Sequence, residues 1–228
     1  MMNKKRLFDI AVSMAGLVAL APLLLIISVA VRLEDGGPAL FRQKRIGRGG
    51  TTFDALKFRK FSQRANGSGS IVTLTDDDRY SRVGRFLEAT KLNELPQLVN
   101  VLYGHMSIVG PRPEIENFRN CYKGEYEKLL GITPGIFGPS QAEFRGEASL
   151  YPTGQDPMKF YERVLFPRKA EIDLAYYPTA TLRTDLYWIF RSLGAVIGLI
   201  RPSGSGLAPH SSTSPVAQSA PIRVTGRH

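Results

Sequence analysis

Chemistry in this chain concentrates between positions 78 and 114. Glu94 follows Asn93 and opens the run Leu-Pro-Gln-Leu. A helix is expected to start there, with Asn93 as its N-cap and Pro96 tolerated in the first turn. Free N–H groups and the helix dipole favour negative charge at such an end, on a side chain or on a bound phosphate. Arg112 lies between Pro111 and Pro113, which stiffen its backbone. Its planar guanidinium can grip two phosphate oxygens at once. Arg79, Arg82 and Arg85 add positive charge upstream, and Lys57, Arg59 and Lys60 alternate with apolar residues before them. A carboxylate beside fixed cations can hold Mg²⁺ bridging a diphosphate, or can attack phosphorus. The same residues also suit plain structural roles. Asn93 can be a helix cap, Glu94 a first-turn charge, and Arg112 the surface partner of Glu114 or Glu116.

Composition narrows the setting. The 228 residues carry 30 Lys+Arg against 20 Asp+Glu, a formal net charge of +10. That excess attracts polyanions: nucleic acid, anionic lipid or phosphorylated substrates. A single cysteine, Cys121, excludes an intrachain disulfide and a multi-cysteine metal site. The histidines are His105, His210 and His228, two of them in a Ser/Pro/Ala-rich stretch read as a disordered tail over 203–228. No Walker-type loop, zinc-ligand spacing or nucleic-acid motif accompanies the charge, so nucleic acid is not expected as a partner.

Residues 10–31 contain no charged side chain. About twenty apolar residues span a bilayer as a helix. Pro22 interrupts the run, and proline bends or breaks helices. Both flanks are basic, with Lys4, Lys5 and Arg6 before the run and Arg32, Arg42, Lys44, Arg45 and Arg48 after it. Basic flanks prefer the cytoplasm. A helix that bends at Pro22 and returns to the same face satisfies both flanks; an ordinary single span with a tolerated proline remains the alternative. Turns and short strands are expected over 33–53, and helices over 93–104, 113–130, 157–176 and 182–200. The last carries an apolar stripe through Leu186, Ile189, Phe190, Leu193 and Ile197, which suits a membrane surface or a core equally.

The chain resembles the bacterial sugar transferases, the monotopic phosphoglycosyl transferases, in family order over roughly residues 4–200. The matching stretches are Lys5-Arg-Leu-Phe-Asp-Ile, the Pro22 break, Gly37-Pro-Ala-Leu-Phe-Arg-Gln-Lys-Arg-Ile-Gly47 and Lys57-Phe-Arg59. They continue through Asn93-Glu-Leu-Pro-Gln-Leu, Gly110-Pro-Arg-Pro-Glu114 and Thr133-Pro-Gly-Ile-Phe-Gly138. The resemblance implies a helix-rich α/β fold: a re-entrant membrane helix over 1–32 bent at Pro22, amphipathic surface helices, and a compact cytoplasmic catalytic domain over 33–202. It implies transfer of a sugar phosphate from a UDP-sugar to undecaprenyl phosphate, with release of UMP and use of Mg²⁺, at the cytoplasmic face of a bacterial inner membrane. Membrane lipid is then a partner, and a second copy of the chain a candidate one. Asn93 and Glu94 fall at the catalytic pair, with Glu94 also the metal ligand. Lys57, Arg59, Arg79, Arg85 and Arg112 fall on the substrate phosphates, and Pro22, Pro111 and Pro113 are structural.

The chain departs from the family pattern at three places. The bend reads Ala21-Pro22, without the serine often found there. Glu88 stands where the family commonly has arginine, and Asn93 where it commonly has the aspartate that attacks phosphorus. A neutral amide is a poor nucleophile. Three readings follow: Glu94 replaces Asn93 in attack, the acceptor phosphate attacks directly, or the chain is an impaired relative that binds without turnover.

Overall fold

The computed structural model describes residues 4–63 and 77–196. The tail at 203–228, most of the polar loop after Gln63, and the end of the last expected helix lie outside them.

Helix α1 (Lys4–Asp35) runs through Pro22 without a break in its helical assignment. It is long and apolar enough to cross a membrane, with mean hydropathy 2.6 in its most apolar window. One side of it packs on the rest of the chain. Phe8, Val12, Leu17 and Leu20 join an apolar cluster built on Phe53, Leu98, Val101, Met106, Ile108 and Val109. Further along, Leu23, Leu24, Ile27 and Val31 join a second cluster with Phe58 and Leu87. The opposite side leaves Leu7, Met14, Val18, Leu25, Val29 and Leu33 exposed, at spacings that keep them on one helical face.

Polar contacts fasten α1 at both ends. The Arg6 guanidinium donates to the carbonyls of Val101 and Leu102 at 2.6 and 2.7 Å. Buried Asp9 accepts from the Ser107 hydroxyl and from the Ile108 N–H at 3.0 Å. At the far end Glu34 accepts from the N–H groups of Arg82 and Val83 at 2.7 and 3.2 Å, which satisfies free donors of the next helix. Entry and exit of the apolar helix therefore dock on the same body.

Strands β1 (Leu40–Ile46) and β2 (Thr52–Phe58) form an antiparallel hairpin in which Arg45 faces Phe53 and Phe41 faces Lys57. Strand alternation puts Lys57 on the side of buried Phe53 and Ala55. Helix α2 (Arg82–Thr90) is capped by Ser81, whose hydroxyl accepts from the Gly84 N–H, and it stops at Lys91 in the left-handed region. A 3₁₀ turn (Leu92–Glu94) leads into α3 (Gln97–Leu102), and Gly104 at φ +83° turns the chain away.

Strand β3 (Ser107–Val109) pairs in parallel with β4 (Gly135–Phe137), a small second sheet not foreseen from sequence. The helix expected over 113–130 is two 3₁₀ segments instead, Glu116–Cys121 and Gly124–Gly131. Extended Lys123 and Gly124 at φ +59° break the run between them.

Helix α4 (Pro139–Glu143) and the Asp156-capped α5 (Pro157–Phe160) follow. A π turn (Tyr161–Leu165) joins α5 to α6 (Phe166–Tyr176), so the helix expected over 157–176 is continuous with one wide turn. Pro167 lacks the donor a regular turn needs there. Helix α7 (Leu182–Val196) buries Asp185 and exposes Leu186, Tyr187, Phe190 and Leu193, so much of its apolar stripe faces outward. A third cluster, around Ile115, Phe118, Leu129, Tyr161, Leu165 and Phe166, ties the 3₁₀ segments to α6.

Candidate active site

An open cavity of about 1070 Å³ lies between the hairpin, α2, the 3₁₀ turn, α4 and α7. Glu94 sits on its wall with a side chain 12% exposed. One carboxylate oxygen takes two cations: Lys57 Nζ at 3.1 Å and the Arg112 guanidinium at 3.1 Å. Burial pushes the Glu94 carboxyl up, but Arg112 and Lys57 outweigh it and hold it well below the ordinary carboxylate range. Burial pushes the Lys57 ammonium down to about 7, against the pull of Glu94. Arg112 is raised by Glu94. The cations thus favour the Glu94 anion, while burial brings Lys57 near the edge of ionisation at neutral pH.

Arg45 was missed as a site residue. It lines the cavity and donates to the Pro113 carbonyl at 2.8 Å and to Gln43 Oε1 at 2.6 Å. Its position opposite Phe53 in the hairpin places it on the buried side. The signal was present in the alternation of 40–46, masked because a core-facing arginine contradicts the ordinary strand pattern. Pro111 accepts from the Gly135 N–H through its carbonyl, so the two prolines flanking Arg112 are themselves held.

A second anion lies beside the first. Glu88, on α2, accepts from Lys60 at 2.9 Å and from Lys91 at 2.6 Å. Burial opposes ionisation, yet Lys91 and Lys60 hold its pKa at about 2. The Asn93 amide donates to the same carboxylate at 3.2 Å. Asn93 is 2% exposed and does not cap the helix. Its carbonyl oxygen Oδ1 is buried with no hydrogen-bond partner among the described residues.

The remaining expected residues divide. Arg59 lies at the cavity edge, but its guanidinium is committed to Asp35 and to the carbonyls of Pro38 and Phe61, at 2.8 and 3.2 Å. It braces the end of α1 against β2 and is not brought to Glu94. Arg79 pairs with Asp77 at 2.5 Å and stacks over Phe61, while Arg85 lies over the Tyr80 ring. Both also line the cavity. The surface pairing of Arg112 with Glu114 or Glu116 is not found. Glu114 is buried against the Tyr161 hydroxyl and Lys169, and Glu116 pairs with Arg119.

The chain matches the family model for bacterial sugar transferases over residues 2–198. This chain belongs to the bacterial sugar transferase family. It is therefore an enzyme of group transfer, and the Lys57–Glu94–Arg112 cluster sits inside the matched region. The transferase is 36% identical over 198 residues to the UDP-glucose:undecaprenyl-phosphate glucose-1-phosphate transferase of Caulobacter vibrioides, covering 85% of this chain and 70% of that protein. It is 33% identical to the exopolysaccharide production protein ExoY of Sinorhizobium fredii, covering 84% of each. It is 38% identical to the Klebsiella pneumoniae glucose-1-phosphate transferase over 82% of this chain, but spans only 38% of that longer protein.

Proposed function

We propose that this transferase moves a sugar phosphate from a UDP-sugar to undecaprenyl phosphate and releases UMP, as the first membrane step of exopolysaccharide, capsule or O-antigen synthesis. The observation that carries the reading is the Glu94 carboxylate held between Lys57 and Arg112 on the wall of a cavity large enough for a nucleotide sugar. Lys57, Arg112 and Arg45 supply positive charge where a diphosphate must lie and where the departing UMP gains charge. Glu94 keeps the two cations it touches in place until substrate oxygens arrive.

The acceptor fits the other side of the cavity. Leu193, Ala195 and Val196 of α7 line it, next to the outward apolar stripe of that helix. A lipid chain can lie there with its phosphate toward the cations. Helix α1 carries its own exposed apolar face and docks both ends on one body, which supports a monotopic placement at the cytoplasmic face of the inner membrane. A bend of α1 at Pro22 within lipid belongs to the same reading.

Mg²⁺ also belongs to it. Among the described residues, no three His, Cys, Asp or Glu side chains converge into a metal cage. A hard cation that arrives with a diphosphate needs only one or two protein oxygens. Glu94 and the unpartnered Asn93 Oδ1 on the same wall meet that need. Bound there, Mg²⁺ would neutralise phosphate charge.

The test is UMP release by detergent-purified protein from a panel of UDP-sugars, with undecaprenyl phosphate and Mg²⁺. We expect release that requires the lipid, reduced at least about 100-fold in Glu94→Gln. Folded protein that releases no UMP from any sugar of the panel contradicts the reading.

A further inference from the structure

Glu88 and Asn93 meet in space, although they belong to different elements. Asn93 offers no nucleophile, because its amide nitrogen lone pair is delocalised. Its Nδ2 donates to Glu88, and its Oδ1 is a buried acceptor without a donor among the described residues. Glu88 is an anionic oxygen pair on the cavity wall. Its side chain is 25% exposed, against 12% for Glu94. Glu94 is clamped by Arg112 and Lys57 on one oxygen. The charged partners of Glu88 are lysines, flexible point charges that an incoming phosphate can draw away. Asn93 then still keeps the carboxylate in place, without a charge that lowers its nucleophilicity.

We propose that Glu88 is the attacking carboxylate of this chain, oriented by Asn93, which acts as a positioning residue. The inference rests on the function proposed above. In the first half-reaction a Glu88 carboxylate oxygen bonds to the β-phosphorus of the UDP-sugar. The bond from that phosphorus to the bridging oxygen breaks, and its electron pair leaves with UMP. The product is an acyl phosphate between Glu88 and the sugar. In the second, an oxygen of undecaprenyl phosphate bonds to the same phosphorus and the Glu88–phosphorus bond breaks. The carboxylate is restored, and no oxidant or net proton is needed.

The sequence supplies a clean assay. Cleavage after Arg85 and Lys91 releases residues 86–91, in which Glu88 is the only carboxylic side chain; Glu94 falls in a separate peptide over 92–119. Full-length protein is incubated with UDP-sugar in the absence of undecaprenyl phosphate, then reduced with borohydride, which converts an acyl phosphate to an alcohol and spares phosphate esters. We expect a UMP burst of one equivalent and reduction confined to peptide 86–91. Glu88→Gln, nearly isosteric, should lose the burst and at least about 100-fold in turnover with its melting temperature retained. Asn93→Asp should lower the burst rate, because it sets a second anion against Glu88. Glu88→Arg combined with Asn93→Asp should restore the burst and move the label to peptide 92–119.

Label on peptide 92–119 in the native protein overturns the inference, as does a Glu88→Gln variant that keeps its burst. Turnover with lipid but no burst and no label overturns it too, and leaves the proposed function standing. Native protein that releases no UMP under any condition overturns both.

Discussion

At the residue scale, burial brings Lys57 and Asp173 to titrate near neutral pH. Lys57 is pushed down to about 7 by burial, so free enzyme loses this cation as pH rises through neutrality. If Lys57 grips phosphate only when charged, kcat/KM for the nucleotide sugar should fall above about pH 7, and Lys57→Arg should carry the falling limb to higher pH. A limb unchanged in Lys57→Arg assigns it elsewhere. Asp173 shows the opposite case. Burial raises its carboxyl to about 7, and the Ser140 hydroxyl, at 2.8 Å, offsets that only in part. A folded-state pKa above the unfolded one stabilises the fold at low pH, and the contribution fades as pH rises from about 4 to 7. Asp173→Asn should therefore flatten that slope and gain up to about 4 kcal/mol at pH 8 relative to the native protein, read by denaturant unfolding at several pH values.

Sequence reading singled out Glu94, Lys57 and Arg112 through their motif neighbours, and the structure brings the three side chains together. It missed Arg45 and the pairing of Glu88 with Asn93. No spacing rule connects a helix residue to the turn after it when the contact depends on how Lys91 reverses the chain at φ +59°. It assigned Arg59 to substrate because charge alone does not reveal that Asp35, at the end of α1, takes up its guanidinium.

At the element scale, glycines set how closely the site's walls approach. A Cβ at Gly84 would lie 1.8 Å from the Lys60 carbonyl oxygen, which is backbone and has little room to yield. Gly84→Ala should displace α2 and the Glu88 it carries, destabilise by roughly 3 kcal/mol, and cost turnover as well. A Cβ at Gly135 would meet the Gly110 nitrogen at 2.0 Å. Gly135→Ala should split the β3–β4 pair beside the Pro111–Arg112–Pro113 segment, with a comparable drop in stability seen by thermal melting. Either variant with native stability contradicts the packing described. Of the elements themselves, α1 was legible as an uncharged apolar run and α3 and α7 from apolar periodicity, while the hairpin was read only as turns and short strands over 33–53, short of β2. The β3–β4 pair was not, because strands of three residues are too short for alternation to register. The segment 113–130 read as helix from composition, yet extended Lys123 and Gly124 divide it.

At the scale of the whole molecule, α1 presents two faces. Both its sides are apolar, one toward protein and one outward. The outward residues Val18 and Leu25 are 73% and 66% exposed, so polar replacements there cost the fold little. Val18→Asp with Leu25→Asp should shift the protein from membrane pellet to supernatant at low detergent, with its thermal stability retained. Retention in the pellet would place membrane attachment on α7 or elsewhere.

In the proposed reaction phosphorus travels with the sugar, and its path can be followed with label. Native enzyme is given the UDP-sugar of the panel that it turns over, labelled in the β-phosphate, with undecaprenyl phosphate, and the organic and aqueous phases are counted. Label should move into the lipid phase in step with the sugar, while unlabelled UMP appears in water. Sugar entering the lipid while the label stays behind as UDP would contradict this.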